Sequence, residues 1–592
     1  MPALTRSASI TALIIILAAG AYLRFYNLNW DRGSFSHPDD RFMGMVAEKV
    51  RFPHSLRLYF STTLSPLNPS NAGFKFYVYG TFPLFLVRLV AEAVGMESLH
   101  ELVMLGRFLS ASADTLSILV VFLLALLLYD RLSAVLASFF LAGAVLHVQH
   151  SHFFVVDTFL TLTCLITIYL TCRWLKGGSF WNLAASGLGL GVAAACKITA
   201  LALFLPLGLA TLTGLFKRRT GNACAQSRLS HWQRSVLGAT MLLVAAYAVF
   251  RTLQPYAFRD YSLFRINPEF EANLGTLLKW SSPNPLYPPS VQWFDRSLSY
   301  AVENMVRWGM GYALGLLALA ALVFCCYELV RKGRWEHIAP AAWAVFVLVY
   351  VSLSTVKPVR YLLPAYPFLI LLAGYALAQF IRHCGETAKF TAGVIICLHI
   401  FWIGAFFNIY RKPFTRAQVS EWVRDNIAEG SKISVEHWDE TTPARIESLP
   451  PAKLQKFTLP VFNPESEAKR EALLHALERS QYVIINSLRG VGAITRWREK
   501  YPFTSAFYEK LLTSQLGFEI KRSFASYPAL IGREFCSDYA DESFSVYDHP
   551  HAIILKKTKE LSMNELEAAL PPDSQPQEPY PALELIACRR YG

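Results

Sequence analysis

Charge is what this sequence has least of: Asp, Glu, Lys and Arg make up 17% of its 592 residues, against 53% hydrophobic residues and a mean hydropathy of +0.31. So little charge excludes an ordinary soluble protein, and several apolar runs are long enough to cross a bilayer, which makes this a polytopic α-helical membrane protein. Acids are the scarcer sign, 43 against 56 bases. The basic surplus does not call for nucleic acid, because it falls in short loops between apolar runs, where the positive-inside rule accounts for it. Cysteine is equally uninformative: eight of the ten lie in or near apolar segments, where a thiol acts as a small apolar group. Only Cys536 and Cys588 stand in the polar tail, free to pair if that tail faces an oxidising compartment.

Spans are expected at 8–24, 104–128, 132–148, 153–175, 180–196, 199–216, 235–253, 305–327, 338–355, 361–381 and 388–410. Ala19-Gly20-Ala21 resembles a signal-peptidase site, but the first segment reads as an uncleaved anchor. Segment 76–96 is apolar yet carries Arg88 and Glu92 and is broken by Gly80 and Pro83. If it spans, the basic loops Lys217-Arg218-Arg219 and Arg331–Arg334 fall opposite Arg6; if it lies in the interface, they fall inside with Arg131, Arg173, Lys176 and Arg382. The second arrangement gives about eleven spans, the N-terminus in and the C-terminus out, with Arg88 snorkelling to the headgroups.

Ser36-His37-Pro38-Asp39-Asp40-Arg41-Phe42 follows the first span. Pro38 suits a helix's first turn and the acids sit where the helix dipole favours negative charge. Phe42, Met45, Val46 and Val50 against Arg41, Glu48, Lys49 and Arg51 make the segment an amphipathic surface helix. Acids beside a membrane mark a functional site unless they merely cap their helix. The same outer side carries Lys75, then His147, His150, Ser151 and His152 with Asp157 a turn later, then Lys197, Lys357 and Arg360. Acids beside cations at a lipid-accessible edge suit transfer of a group off a phosphate: the cations hold the leaving phosphate while an acid takes a proton from the attacking group.

Those stretches, with Phe74-Lys75-Phe76, Tyr79-Gly80, Gly106-Arg107-Phe108-Leu109-Ser110 with Asp114, Ser151-His152-Phe153-Phe154 with Asp157-Thr158-Phe159, Ala195-Cys196-Lys197-Ile198-Thr199-Ala200 and Arg360-Tyr361-Leu362-Leu363-Pro364, resemble membrane glycosyltransferases of the GT-C type. Among these they resemble the dolichyl-phosphate-mannose protein mannosyltransferases and the lipid A aminoarabinose transferases, in order through most of 1–410. The resemblance implies a transmembrane catalytic domain over 1–410 and transfer of a sugar from a polyprenyl-phosphate donor to a protein, lipid or glycan acceptor outside the plasma membrane; a single displacement with one base and a stabilised leaving group then predicts inversion at the anomeric carbon. The resemblance makes Asp39 the general base, with Asp40 and Asp157 as further catalytic acids. Lys75, Lys197, Arg360 and Arg41 become candidates for the donor phosphate, and His37, His152, Tyr79 and Tyr361 for the cavity wall. Arg41 follows the acid pair directly, whereas the aminoarabinose branch has one residue between.

No cofactor is required by this reading. A divalent metal is the less favoured alternative: His147, His150 and His152, at i, i+3 and i+5, do not share one helical face and have no Cys nearby, and Glu436-His437-Trp438-Asp439-Glu440 reads as a polar strand end. The outer loop 25–103 carries the acids. Loop 254–304, with Pro283-Asn284-Pro285-Leu286-Tyr287-Pro288-Pro289, is expected to cover the cavity, and Trp280, Tyr287 and Trp293 suit sugar stacking or interfacial anchoring. From 411 to 570 helical patterns at 416–426 and 465–480 alternate with strand-like runs at 432–436, 482–486 and 552–555, giving an extracytoplasmic α/β domain. Gly490-Val491-Gly492 lacks the third glycine of a dinucleotide turn, and the aromatic stretch beyond it does not read as the required helix. Residues 571–592 read as a flexible tail. A transporter or flippase of lipid-linked sugars is the competing class; large outer loops and an outer domain argue against it.

Overall fold

The computed structural model describes residues 4–177, 179–219, 231–282, 288–437, 442–446, 451–577 and 582–591. Among the described residues eight helices are long and apolar enough to cross a membrane, from Arg6–Phe25 to the segment that starts at Gly385, and a ninth results if the bent pair Arg131–Ala142 and Val145–Ser151 is one span. Two shorter apolar helices, Trp181–Cys196 and Ile198–Thr213, stand where the fifth and sixth spans are expected. The helix Thr81–Val94 has 14 residues, too few to cross, as expected for 76–96. Arg88 departs from expectation: it is 1% exposed and pairs with Glu92 at 2.8 Å instead of reaching for headgroups.

Two expected spans are broken. The third bends by 55° between Ala142 and Val145. Arg24 serves the carbonyls freed there, donating to Ala142 O at 2.8 Å and Leu141 O at 3.1 Å, while its Nε meets Asp114 at 2.7 Å. Broken helix at membrane depth is tolerated where protein supplies such partners. The run expected at 305–327 begins instead with a π-helical turn, Met305–Gly309, and turns at Gly311 (φ 76°) before the span Tyr312–Lys332.

Beyond the last span lies a five-stranded mixed sheet. Its strands are β1 (Lys432–Glu436), β2 (Gln455–Leu459), β3 (Tyr482–Ile485), β4 (Phe518–Phe524) and, after a small hairpin of β5 (Ala529–Leu530) and β6 (Arg533–Glu534), β7 (Ala552–Lys557), in the order β2-β1-β3-β7-β4. β1 is parallel to both β2 and β3, whereas β7 is antiparallel to β3 and β4. Side chains alternate across it: Val483, Ile485, Ile553 and Leu555 join one core with Leu473 and Leu477, and Ile484, Ala552 and Ile554 join another with Val419 and Val423. The aromatic stretch after Gly490 is helical after all, at Pro502–Leu512, since its Phe503, Phe507 and Leu511 share one buried face. Residues 582–591 do not hang free as a tail: Ile586 is fully buried, Cys588 is disulfide-bonded to Cys536, and Tyr591 exchanges hydrogen bonds with Ser523.

Residues 541–549 leave the sheet domain and enter the membrane domain. Asp541 accepts from Val359 N–H at 3.2 Å and Trp293 Nε1 at 2.8 Å, Phe544 is buried against Trp308 and Phe406, and Asp548 accepts from Tyr410 at 2.7 Å. A single core therefore runs from the spans into this insertion.

Candidate active site

Asp39 sits in the first turn of the helix Pro38–Lys49, whose N-cap is His37. Proline at the first position and a cap that accepts the Asp40 N–H at 3.3 Å fix where this helix begins. Its buried face is Met43, Val46, Ala47 and Val50; Met45, expected on that face, is exposed. Asp39 Oδ2 meets Arg360 Nη1 at 2.5 Å, and Oδ1 accepts from the Tyr79 hydroxyl at 2.9 Å. Both members of the ion pair keep 17% of their side-chain surface exposed. Burial alone would raise the Asp39 carboxyl, but the Arg360 guanidinium outweighs it and holds the group below the usual carboxylate range.

A second pair lies alongside. Lys197 Nζ is 3.4 Å from Asp157 Oδ1 and 4.1 Å above the Tyr361 ring, over which the Arg360 guanidinium also sits, at 5.7 Å. Tyr361 thus bridges Asp39–Arg360 and Asp157–Lys197. Lys197 occupies the break between Phe180–Cys196 and the 3₁₀ turn Ile198–Leu203, in extended backbone. The chain after Tyr79 docks on that break: Gly80 N–H donates to Cys196 O at 3.0 Å, and a Cβ on Gly80 would stand 2.0 Å from Ala195 O. Glycine is therefore required for so close an approach.

Other expected site residues fall elsewhere. Asp40 is fully buried, with Oδ2 held by Arg107 Nε and Nη2 at 3.0 and 2.5 Å and Oδ1 by Phe154 N–H at 2.8 Å. Arg107 also holds Asp31 at 2.9–3.0 Å. Held by three hydrogen bonds and with no exposed surface, Asp40 ties its helix to Arg107 and Phe154 and presents no face to a substrate, unlike the place expected for a catalytic acid. His152 is likewise enclosed: its nitrogens lie 2.7 and 2.9 Å from the carbonyls of Val148 and Tyr26 and its ring stacks on Tyr410, so it braces helices instead of lining a cavity. His147, expected on a substrate-facing turn, is buried on Asp114 at 2.5 Å. Lys75 is exposed in a small cleft with Asn68, Glu269 and Asn273. Arg41 stands two residues past Asp39 on the same helix, a spacing that turns it to another side. Trp293 is buried on Asp541, and Trp280 packs on Phe76 at 4.7 Å. Tyr287 and Trp438-Asp439-Glu440 lie outside the described residues.

His37 is fully buried between Phe153 and Tyr547, ring centroids 4.4 and 4.3 Å away, and burial pushes its imidazole down to about 3. Nδ1 accepts at the cap, so the neutral ring carries its proton on Nε2. Tyr547, from the 541–549 insertion, escaped the sequence reading because nothing near it in sequence ties it to the acid pair. Among the described residues one group of metal-type ligands falls together, Cys536, Asp538 and Cys588, and its two thiols are joined to each other.

The arrangement of spans and appended sheet has likenesses in fold among solved membrane proteins, and one stretch of the chain matches a family model. Residues 95–247 match the family described as dolichyl-phosphate-mannose-protein mannosyltransferase. The fold is similar to the oligosaccharyltransferase of Archaeoglobus fulgidus tethered with an acceptor peptide containing the NVT sequon: TM-score 0.53, 13% identity, 84% of this chain and 71% of that one covered. The same protein complexed with zinc and sulfate gives 0.50 at 14% identity, covering 88% and 72%. ArnT of Cupriavidus metallidurans bound to undecaprenyl phosphate gives 0.45 at 13% identity, covering 81% and 93%. No curated protein sequence matches the chain.

Proposed function

We propose that this protein is an inverting glycosyltransferase that moves a sugar from a polyprenyl-phosphate donor to an acceptor hydroxyl or amide, with Asp39 as general base. The observation that carries this reading is the side-by-side placement of Asp39–Arg360 and Asp157–Lys197 around Tyr361. The matched family's description, which names a dolichyl-phosphate-linked mannose, supports a lipid-linked donor. In the reaction the acceptor's proton passes to the Asp39 carboxylate while the acceptor atom bonds to the anomeric carbon. The bond from that carbon to the phosphate oxygen breaks, and the polyprenyl phosphate leaves with the electron pair. Arg360 and Lys197 stabilise the charge growing on the phosphate, and Asp157 keeps Lys197 in position. Arg360 has a spare donor for this, since its buried Nε makes no hydrogen bond.

The site end is proposed to face the extracytoplasmic space. Arg131 and Arg382, the latter paired with Asp130, cluster at the opposite ends of their spans, and the Cys536–Cys588 disulfide suits an oxidising compartment. The test is incubation of the purified protein with a panel of polyprenyl-phosphate sugars, following release of free polyprenyl phosphate. Release by the native chain and none by Asp39→Asn is the expected result; equal release by both removes Asp39 from the mechanism.

A further inference from the structure

A cavity of about 220 Å³ opens where the end of the 254–304 segment meets the sheet domain, apart from the Asp39 site. Gln292 and Arg296 line it from the segment, and Arg489, Arg496 and Glu542 from the sheet domain and its insertion. Three of its charged groups are already engaged: Arg489 pairs with Glu542 at 2.8 Å, and Asp538 accepts from Tyr527 at 2.6 Å and meets His551 at 2.9 Å. Glu584, at the rim, is exposed.

Arg296 and Arg496 are different. Among the described residues neither makes an ion pair, and both turn to one neutral acceptor, the Gln292 carbonyl, at 3.4 and 2.5 Å. Burial, with Arg296 close by, pushes Arg496 down to about 10, as expected where two cations share a partly desolvated space. The Gln292 side chain is a second, independent sign: the residue is 7% exposed and its Nε2 has no hydrogen-bond partner. An unsatisfied buried donor is costly, and the two converged guanidinium groups have no carboxylate at ion-pair distance: Asp295 acts on Arg496 from further off, and Arg296 otherwise rests 4.6 Å over the Tyr300 ring. All three needs are met by a ligand rich in acceptor oxygens and carrying negative charge.

We propose that this cavity binds a small anionic sugar, bearing a phosphate or a carboxylate, with Arg296 and Arg496 holding the anionic group and Gln292 Nε2 donating to another of its oxygens. The site goes beyond the transfer reaction and does not depend on it. Its wall nonetheless touches the catalytic helix indirectly: Arg489 lies 5.6 Å over Tyr547, whose ring packs on His37, the N-cap of the helix that carries Asp39.

Binding is measured calorimetrically on the full-length protein in detergent, with a hexose 6-phosphate, a hexuronate, the neutral hexose and inorganic phosphate as probes. The expected result is binding of at least one anionic sugar, at least tenfold tighter than the neutral hexose and inorganic phosphate. Affinity should fall at least tenfold in Arg296→Gln/Arg496→Gln and severalfold in Gln292→Leu. Thermal unfolding without ligand checks that the variants are folded, and Arg296→Gln alone serves if the double variant is not. Equal affinity for neutral and anionic sugars, equally tight binding of bare phosphate, no binding of any probe, or unchanged affinity in folded variants overturns the proposal.

Discussion

Asp39 and Arg360 lie 321 positions apart in the chain and 2.5 Å apart in space. The side chain proposed to take the acceptor's proton is thus held, without substrate, by the side chain proposed to hold the donor's phosphate. An arginine so placed weakens the base, because it stabilises the carboxylate. In the proposed reaction a guanidinium that turns to the donor phosphate would let Asp39 recover basicity as the leaving group gains its partner.

Arg360→Gln should therefore do two things at once. Loss of a charge that stabilises the leaving group should reduce turnover by about 10²–10³-fold. Removing the interaction that lowers the Asp39 pKa should also move the acid limb of the pH–rate profile of kcat/KM to higher pH, since the freed carboxyl protonates earlier as pH falls. A profile that keeps its acid limb in place would separate Arg360 from the base.

Asp39→Asn should leave the fold and the donor affinity intact while lowering transfer by about 10²–10⁴-fold, the range that general bases supply. Asparagine retains an acceptor for the Tyr79 hydroxyl and costs only the charge facing Arg360. Donor binding by fluorescence or filtration, beside single-turnover transfer, checks the split.

Asp40 gives the contrasting case one residue on. Asp40→Ala leaves Arg107 with one carboxylate, Asp31, for a fully buried charge, and removes the acceptor for Phe154 N–H. Breaking such a pair costs about 3–5 kcal/mol. The expected outcome is a lowered melting temperature and poor recovery in detergent, with residual activity falling in proportion to folded protein.

The helix Pro38–Lys49 and its proline start were legible because they are local, set by a cap, a dipole and an apolar stripe. So were the strands around 432, 482 and 552, whose β-branched residues alternate with polar ones at 432–436 and run together at 482–485 and 552–555. What separates Asp39 from Asp40 was not legible. Adjacent helical residues point about 100° apart, and which one meets Arg107 and which Arg360 depends on how helices from 99 and 359 pack. His147 and His152 misled for the same reason: a histidine-rich turn is polar in sequence, and only tertiary packing buries it on Asp114 and Tyr410. The 541–549 insertion was hidden because its Phe544, Tyr547 and Asp548 find partners more than a hundred residues away.

That insertion yields the last prediction. Phe544 is fully buried, 5.7 Å from Trp308 and 5.5 Å from Phe406, in the core shared with the spans. Truncating a buried phenylalanine costs about 3–5 kcal/mol, part transfer and part cavity. The sheet keeps its own two cores, so Phe544→Ala should leave it folded while loosening its attachment to the membrane domain. Tyr547 sits three residues on and packs on His37, so the loosening should reach the Asp39 helix and lower transfer as well. Hydrogen exchange read segment by segment checks this: faster exchange at 541–549 and at 37–49, with β1, β3 and β7 unchanged, is the expected pattern. Faster exchange throughout the sheet would mean that Phe544 supports the domain itself and not its docking.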